Sequence, residues 1–210
     1  MLFCYYFWDY DGTLFDSYPS IVRAYKKGLM DLGVEVDYDE LYALTKISLG
    51  HAAKAIGKQH AVSAERIMEN YKRYAHDEGY DDVLPYTDAK EILEAIVHHG
   101  GRNYLYTHRD MSGVNMLKHH GLFELFDDYV TSENDFPKKP EPDALKHLLI
   151  KHELDVSRCI MVGDREIDVQ AGMNAGMAGA LFDPEGFCGT TQAQYRFTSL
   201  EDIKRELVDI

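Results

Sequence analysis

Two aspartates, Asp9 and Asp11, stand two residues apart where the apolar run 2–8 ends, in the stretch FWDYDGTLFDS (7–17). Alternate residues of a strand face the same side, so an extended chain presents both carboxylates to one pocket. One can act as a nucleophile and the other as a general acid and base. Gly12 permits the sharp turn that ends the strand and is counted with the substrate-binding positions. Other apolar runs also end in reactive groups. Thr107 follows one in YTHRD, Lys138 and Lys139 lie in PKKPEP after the strand-like FDDYVT, and Asp164 and Asp168 follow another in GDREID.

In open parallel sheets, ligands bind beyond the carboxyl ends of the strands. Four strand ends therefore deliver carboxylates, a hydroxyl and a lysine to one cleft. Carboxylates gathered in this way need cations. Two unit charges at about 4 Å repel by about 4 kcal/mol at an effective dielectric near 20, so either their pKa values rise or a cation binds. Hard oxygen ligands without a His/Cys cluster point to Mg²⁺. The ion would also let a carboxylate approach a phosphate dianion. On this reading Asp9 attacks phosphorus and forms an aspartyl-phosphate. Asp11 protonates the leaving oxygen, then takes a proton from the hydrolytic water.

The elements that must position these groups are legible as alternating patterns. Residues 2–8, 103–107, 158–163 and 177–182 are nearly continuous apolar runs, as expected of strands covered on both faces. Helical patterns separate them. The patterns at 88–100 and 111–121 close on Gly100 and Gly121, and another opens with Pro142 near its first turn. This alternation predicts an α/β fold, a doubly wound parallel sheet. Between Ser17 and Leu84 only helical patterns occur, at 21–33, 39–47, 50–58 and 64–79. That interval is too long for an ordinary connection. It predicts a helical cap domain over 17–84, inserted into a core made of 1–16 and 85–210, with hinges near 15–18 and 82–86.

Composition narrows the function classes. The chain has 210 residues with a formal net charge of -14, which disfavours general nucleic-acid binding. Its three cysteines have neither metal-ligand spacing nor the look of a disulfide framework, and Cys4 and Cys159 are expected to be buried thiols. The first apolar run is too short for a membrane span and lacks a basic leader, so a cytoplasmic protein is expected. The pairs His98–His99 and His119–His120 diverge on a helix and are taken as structural or solvated.

Together these motifs resemble those of haloacid-dehalogenase-superfamily hydrolases, in the branch with a helical cap inserted after the first motif. DYDGTL resembles the first motif, which implies Asp9 as nucleophile and Asp11 as acid/base. Thr107 matches the second, a hydroxyl that binds the phosphoryl group. Lys139, directly before Pro140, matches the third, a lysine that neutralises phosphate and nucleophile. Asp164 and Asp168 match the fourth, which holds Mg²⁺ with Asp9 and the backbone carbonyl of Asp11. All four motifs occur in order. Lys46, Ser48 and His51 in TKISLGH resemble the cap loop that family members lower onto the core, and are expected to bind substrate. Tyr18 lies at the hinge, and His108 and Arg109 are placed at the entrance to the site, with His108 and Lys139 also counted with the substrate-binding positions.

The resemblance implies a Mg²⁺-dependent phosphatase acting on a small phosphorylated metabolite, with a layout similar to phosphoglycolate phosphatases. No nucleic-acid or membrane partner is expected, and the chain is expected to be a monomer or a weak homodimer. A dehalogenase needs no second aspartate, so Asp11 argues against it. A β-phosphoglucomutase-like phosphoryl transferase has a histidine on the first cap helix, and none occurs between Asp16 and Asp31. A nucleotidase, a phosphoryl-accepting receiver module and a non-catalytic binding protein on the same scaffold are the remaining rivals.

Overall fold

The structure, a computed structural model, describes residues 1–75, 77 and 79–209, with Tyr80 through its backbone only. Its strands are β1 (Tyr5–Trp8), β2 (Arg102–Tyr106), β3 (Phe126–Val130), β4 (Cys159–Gly163), β5 (Ala178–Phe182) and β6 (Tyr195–Phe197). They form one six-stranded sheet in the order β3-β2-β1-β4-β5-β6. Every neighbouring pair is parallel. The chain builds outward from β1 through β2 to β3, then returns to β4 on the other side of β1. This reversal opens a crevice at the carboxyl ends of β1 and β4, where sheets of this kind bind ligands.

The helices are α1 (Tyr18–Met30), α2 (Tyr38–Ile47), α3 (Leu49–His60), α4 (Ala64–Tyr74), α5 (Ala89–His98), α6 (Met111–His119), α7 (Asp143–Lys151), α8 (Glu166–Asn174) and α9 (Leu200–Ile203). The chain divides into two compact units, one made of Met1–Phe15 and Pro85–Ile210, the other of Asp16–Leu84. The first holds the sheet with α5–α9, and the second holds α1–α4.

In the α/β unit, β1 is covered on both faces. Phe7 stacks on Tyr104 with ring centroids 4.8 Å apart and packs with Leu145, Leu148 and Met161. On the opposite face Tyr6 stacks along Trp8, whose Nε1 donates to Asn103 Oδ1 at 3.0 Å. With both faces buried, β1 is a continuous apolar run rather than an alternating one. The helical unit has its own core, in which Val22, Tyr25 and Leu29 of α1 pack with Leu41, Ile56 and Ile67.

Several boundaries differ from the expected ones. The first expected strand begins only at Tyr5, because the chain before it is tied by isolated hydrogen bonds, Leu2 N–H to Leu207 O, Cys4 N–H to Arg158 O and Arg102 N–H to Cys4 O. The helix expected over 21–33 starts earlier, with a proline in its first turn, and stops at Met30. The helix expected over 64–79 ends at Tyr74, and its expected continuation includes His76 and Glu78, which lie outside the described residues. Cys159 is buried, but Cys4 is only half-buried.

Candidate active site

At the end of β1, the Asp9 N–H still donates to Val162 O of β4 at 2.9 Å, so the ladder runs one residue past Trp8. The chain then turns on the Tyr10 carbonyl, which accepts from the N–H groups of Thr13, Leu14 and Phe15. Gly12 makes this turn possible by adopting φ +69°. Asp9 is thereby fixed in the interior, 2 % exposed.

Lys139 reaches Asp9 from the loop after β3. Its Nζ lies 2.8 Å from Asp9 Oδ1 and 2.8 Å from Asp168 Oδ1, and its side chain is fully buried. Lys138 is exposed, so of the adjacent pair only Lys139 enters the carboxylate cluster. The loop is tied to the end of β2, where His108 Nε2 accepts from the Lys139 N–H at 3.0 Å. That bond requires an unprotonated Nε2. Burial, then the nearby Lys139 and Arg165 charges, push the His108 pKa down to about 4, in keeping with a neutral ring.

Thr107 is buried at the end of β2, and its N–H donates to Val130 O at 3.0 Å. The register pairs Trp8 with Leu105, which puts Thr107 just beyond the sheet beside the turn that carries Asp9 and Asp11. Two residues on, Arg109 clamps Asp11. Its Nε donates to Oδ1 at 2.8 Å and to Oδ2 at 3.0 Å, while Nη2 lies 2.8 Å from Oδ1. The guanidinium also rests over the Tyr10 ring, 5.1 Å from its centroid.

β4 supplies the remaining acids. Asp164 follows Gly163, and Asp168 lies in the first turn of α8, where its Oδ2 accepts from the Arg165 N–H at 3.0 Å. Gly163 is required by this fold-back, since a Cβ there would lie 2.2 Å from the Asp168 Cβ. Asp9, Asp164 and Asp168 each bring a carboxylate oxygen into a buried group whose ligand atoms all lie within 4.8 Å of one another. Arg165 lies against the same three residues. Its Nη2 is 3.8 Å from Asp9 Oδ2, and its Nε is 3.6 Å from Asp164 Oδ1 and 4.0 Å from Asp168 Oδ2.

The electrostatics follow from burial and pairing. Burial drives the Asp9 pKa up to about 6, against the pull of Lys139 and with a further push from Asp168. Burial also opposes ionisation of Asp168, but Lys139 and Arg165 outweigh it and hold that carboxyl below its usual range. Lys139 is the counterpart. Burial disfavours its ammonium, yet Asp168 and Asp9 raise its pKa above the ordinary lysine value. Asp9 Oδ2 is buried and accepts no hydrogen bond from the described residues. A buried acceptor without a donor calls for a proton or a cation, and the three hard carboxylates of Asp9, Asp164 and Asp168 fit a small divalent ion.

Other residues singled out in the sequence are described within their own units. Lys46, Ser48 and His51 belong to the helical unit. Lys46 is buried with its Nζ 4.2 Å from the Tyr18 ring centroid, and Ser48 caps α3 by accepting from the His51 N–H at 3.0 Å. His98, His99 and His119 are exposed and His120 is half-buried. Among the described residues, Asp9, Asp164 and Asp168 are the group placed to hold a metal. The sequence reading overlooked Arg165. Its signal was a cationic residue directly after one expected metal ligand and three before another.

Residues 6–182 match the family model described as haloacid dehalogenase-like hydrolase. A phosphoglycolate phosphatase of Aliivibrio fischeri is 30% identical over 188 residues, which cover 80% of this chain and 78% of that protein. A 6-phosphogluconate phosphatase of Escherichia coli is 29% identical over 181 residues, covering 81% and 78%. Among solved structures, a hydrolase from Streptococcus pneumoniae superposes over 100% of both chains with a TM-score of 0.69 and 28% identity.

Proposed function

The chain belongs to the haloacid dehalogenase-like hydrolase family, and we propose that it is a Mg²⁺-dependent phosphatase that hydrolyses a small phosphorylated metabolite, carrying the phosphoryl group on Asp9. One observation supports this most strongly. Asp9 is buried with one oxygen on Lys139 and the other without a hydrogen-bond donor among the described residues, inside a cluster of three acids.

Mg²⁺ held by Asp9, Asp164, Asp168 and the Asp11 carbonyl would supply the positive charge that lets a carboxylate meet a phosphate dianion. The chain's own residues do the rest. An Asp9 carboxylate oxygen bonds to phosphorus as the ester P–O bond breaks, and Asp11 gives a proton to the departing oxygen. Water then yields a proton to Asp11 and attacks phosphorus. The Asp9–phosphorus bond breaks, releasing phosphate and restoring both aspartates. Lys139 and Thr107 neutralise and hold the phosphoryl oxygens, acting through preorganised charge. Arg109 orients Asp11, and His108 holds the loop that carries Lys139.

Phosphoglycolate and 6-phosphogluconate, the substrates in the relatives' names, each carry a carboxylate as well as the phosphoryl group. Phosphorylated acids therefore head the substrate panel. None of the described helices is long and apolar enough to cross a membrane. The free thiols of Cys4, Cys159 and Cys188 suit a reducing compartment such as the cytoplasm. The test is phosphate release from the panel, with and without Mg²⁺, by wild type and Asp9→Asn. Wild type should turn over only with the ion, and the variant should be slower by about 10⁴-fold or more. Comparable rates for the two proteins would rule out Asp9 as the nucleophile.

A further inference from the structure

Arg165 lies where a metal ion and a guanidinium compete for the same carboxylates. Its Nη2 and Nε approach Asp9, Asp164 and Asp168 at 3.6–4.0 Å. These three residues are the ones whose oxygens converge within 4.8 Å. We propose that Arg165 is a place-holding cation that a divalent ion displaces from the Asp9–Asp164–Asp168 cluster, so that its side chain sets the affinity of the metal site. The inference rests on the metal-dependent reading above and adds to it a residue that opposes metal loading.

The two cations at the cluster are held differently. Lys139 is fully buried and makes contacts of 2.8 Å to Asp9 and Asp168. The approaches of Arg165 to the same acids all exceed hydrogen-bond length. Its side chain is 20% exposed, whereas that of Lys139 is fully buried. Its backbone stays anchored through the N–H bonded to Asp168 Oδ2, so the side chain can leave without unwinding α8.

Charge balance favours the exchange. With all three carboxylates ionised, Lys139 and Arg165 leave the cluster with one net negative charge. A divalent ion that takes the place of Arg165 brings the cluster to neutrality. An ion added with Arg165 retained leaves a net positive charge and sets two cations against each other at close range. In the metal-free protein, Arg165 keeps the buried acids from repelling one another unopposed.

The test is Mn²⁺ affinity measured by calorimetry on metal-free wild type, Arg165→Gln and Arg165→Lys. Removing the competing charge should tighten binding in Arg165→Gln by a factor in the range of roughly 5 to 150. Arg165→Lys should stay closer to wild type. Equal or weaker binding in Arg165→Gln would overturn the proposal, because Arg165 would then be neutral or helpful to the ion. Absence of Mn²⁺ binding in every protein would instead sink the metal-dependent reading, and this inference with it. Should Arg165→Gln not fold without metal, crystals of wild type grown with and without Mn²⁺ decide. The guanidinium should leave the three acids in the loaded protein, and its persistence beside them with the ion bound would refute displacement.

Discussion

At the scale of single residues, the site sets cations and a neutral histidine against its acids and their loop. Lys139 bridges Asp9 and Asp168, Arg109 clamps Asp11, and His108 accepts from the Lys139 backbone. The acids and the threonine stood out in the sequence because they follow apolar runs, and the lysine because it directly precedes Pro140 in the loop after the strand-like FDDYVT. The pairings did not, since one such as Arg109 with Asp11 depends on two strand ends that are distant in the chain. His108 gives a residue-level prediction. Its pKa falls from 6.5 to about 4 on folding. Between those values the unfolded chain binds more protons, so stability contributed by the neutral ring is present above pH 6.5 and lost as pH falls toward 4. His108→Gln keeps an acceptor but does not titrate. Thermal unfolding across pH 4–7 should therefore show the variant losing less stability than wild type toward the acid end. Parallel profiles would mean that His108 is not held neutral by its surroundings.

At the scale of elements, the strands were readable because a strand buried on both faces leaves a continuous apolar run, as β1 does with YYFW. Strand ends were readable only to within a few residues, because hydrogen bonding and not hydrophobicity decides where a ladder stops. β6 left no signal, being three residues long with the exposed Arg196 at its centre. The reason for Gly163 was also hidden, since it lies in the fold-back of α8 across the end of β4. A methyl group at 163 would fall 2.2 Å from the Asp168 Cβ. Gly163→Ala should thus displace Asp168, cost about 1–3 kcal/mol in urea unfolding and weaken divalent-ion binding in the same protein. Wild-type stability and affinity in the variant would show that Asp168 is not held by this close approach.

At the scale of the whole molecule, a chain of net charge -14 concentrates Lys139, Arg109 and Arg165 at one end of its sheet. Such a surface repels polyanions, while the local cations can still receive a small anion. The division into an α/β unit and a helical unit has its counterpart in the sequence, where strand signals are missing between Ser17 and Leu84. The family's motifs all lie in the α/β unit, so nothing in them specifies what the helical unit contributes. The three acids that could hold an ion lie in the α/β unit, so a bound ion should stabilise that unit. At a hundredfold excess over its Kd, Mg²⁺ should add about 2.7 kcal/mol, or roughly 5–10 °C in Tm for a chain of this size. Asp164→Asn should lose most of that shift, and an equal shift in the variant would move the ion away from Asp164.

The most direct test of the account is to locate the phosphoryl group during turnover. Enzyme acid-quenched in the steady state with Mg²⁺ and substrate, then reduced with borohydride and mapped by peptide mass, reports any acyl phosphate as homoserine. The mechanism predicts homoserine in place of Asp9 and an unchanged Asp11. Modification at Asp11 instead, or steady turnover with no modified aspartate under conditions that trap other acyl phosphates, would contradict Asp9 as the carrier.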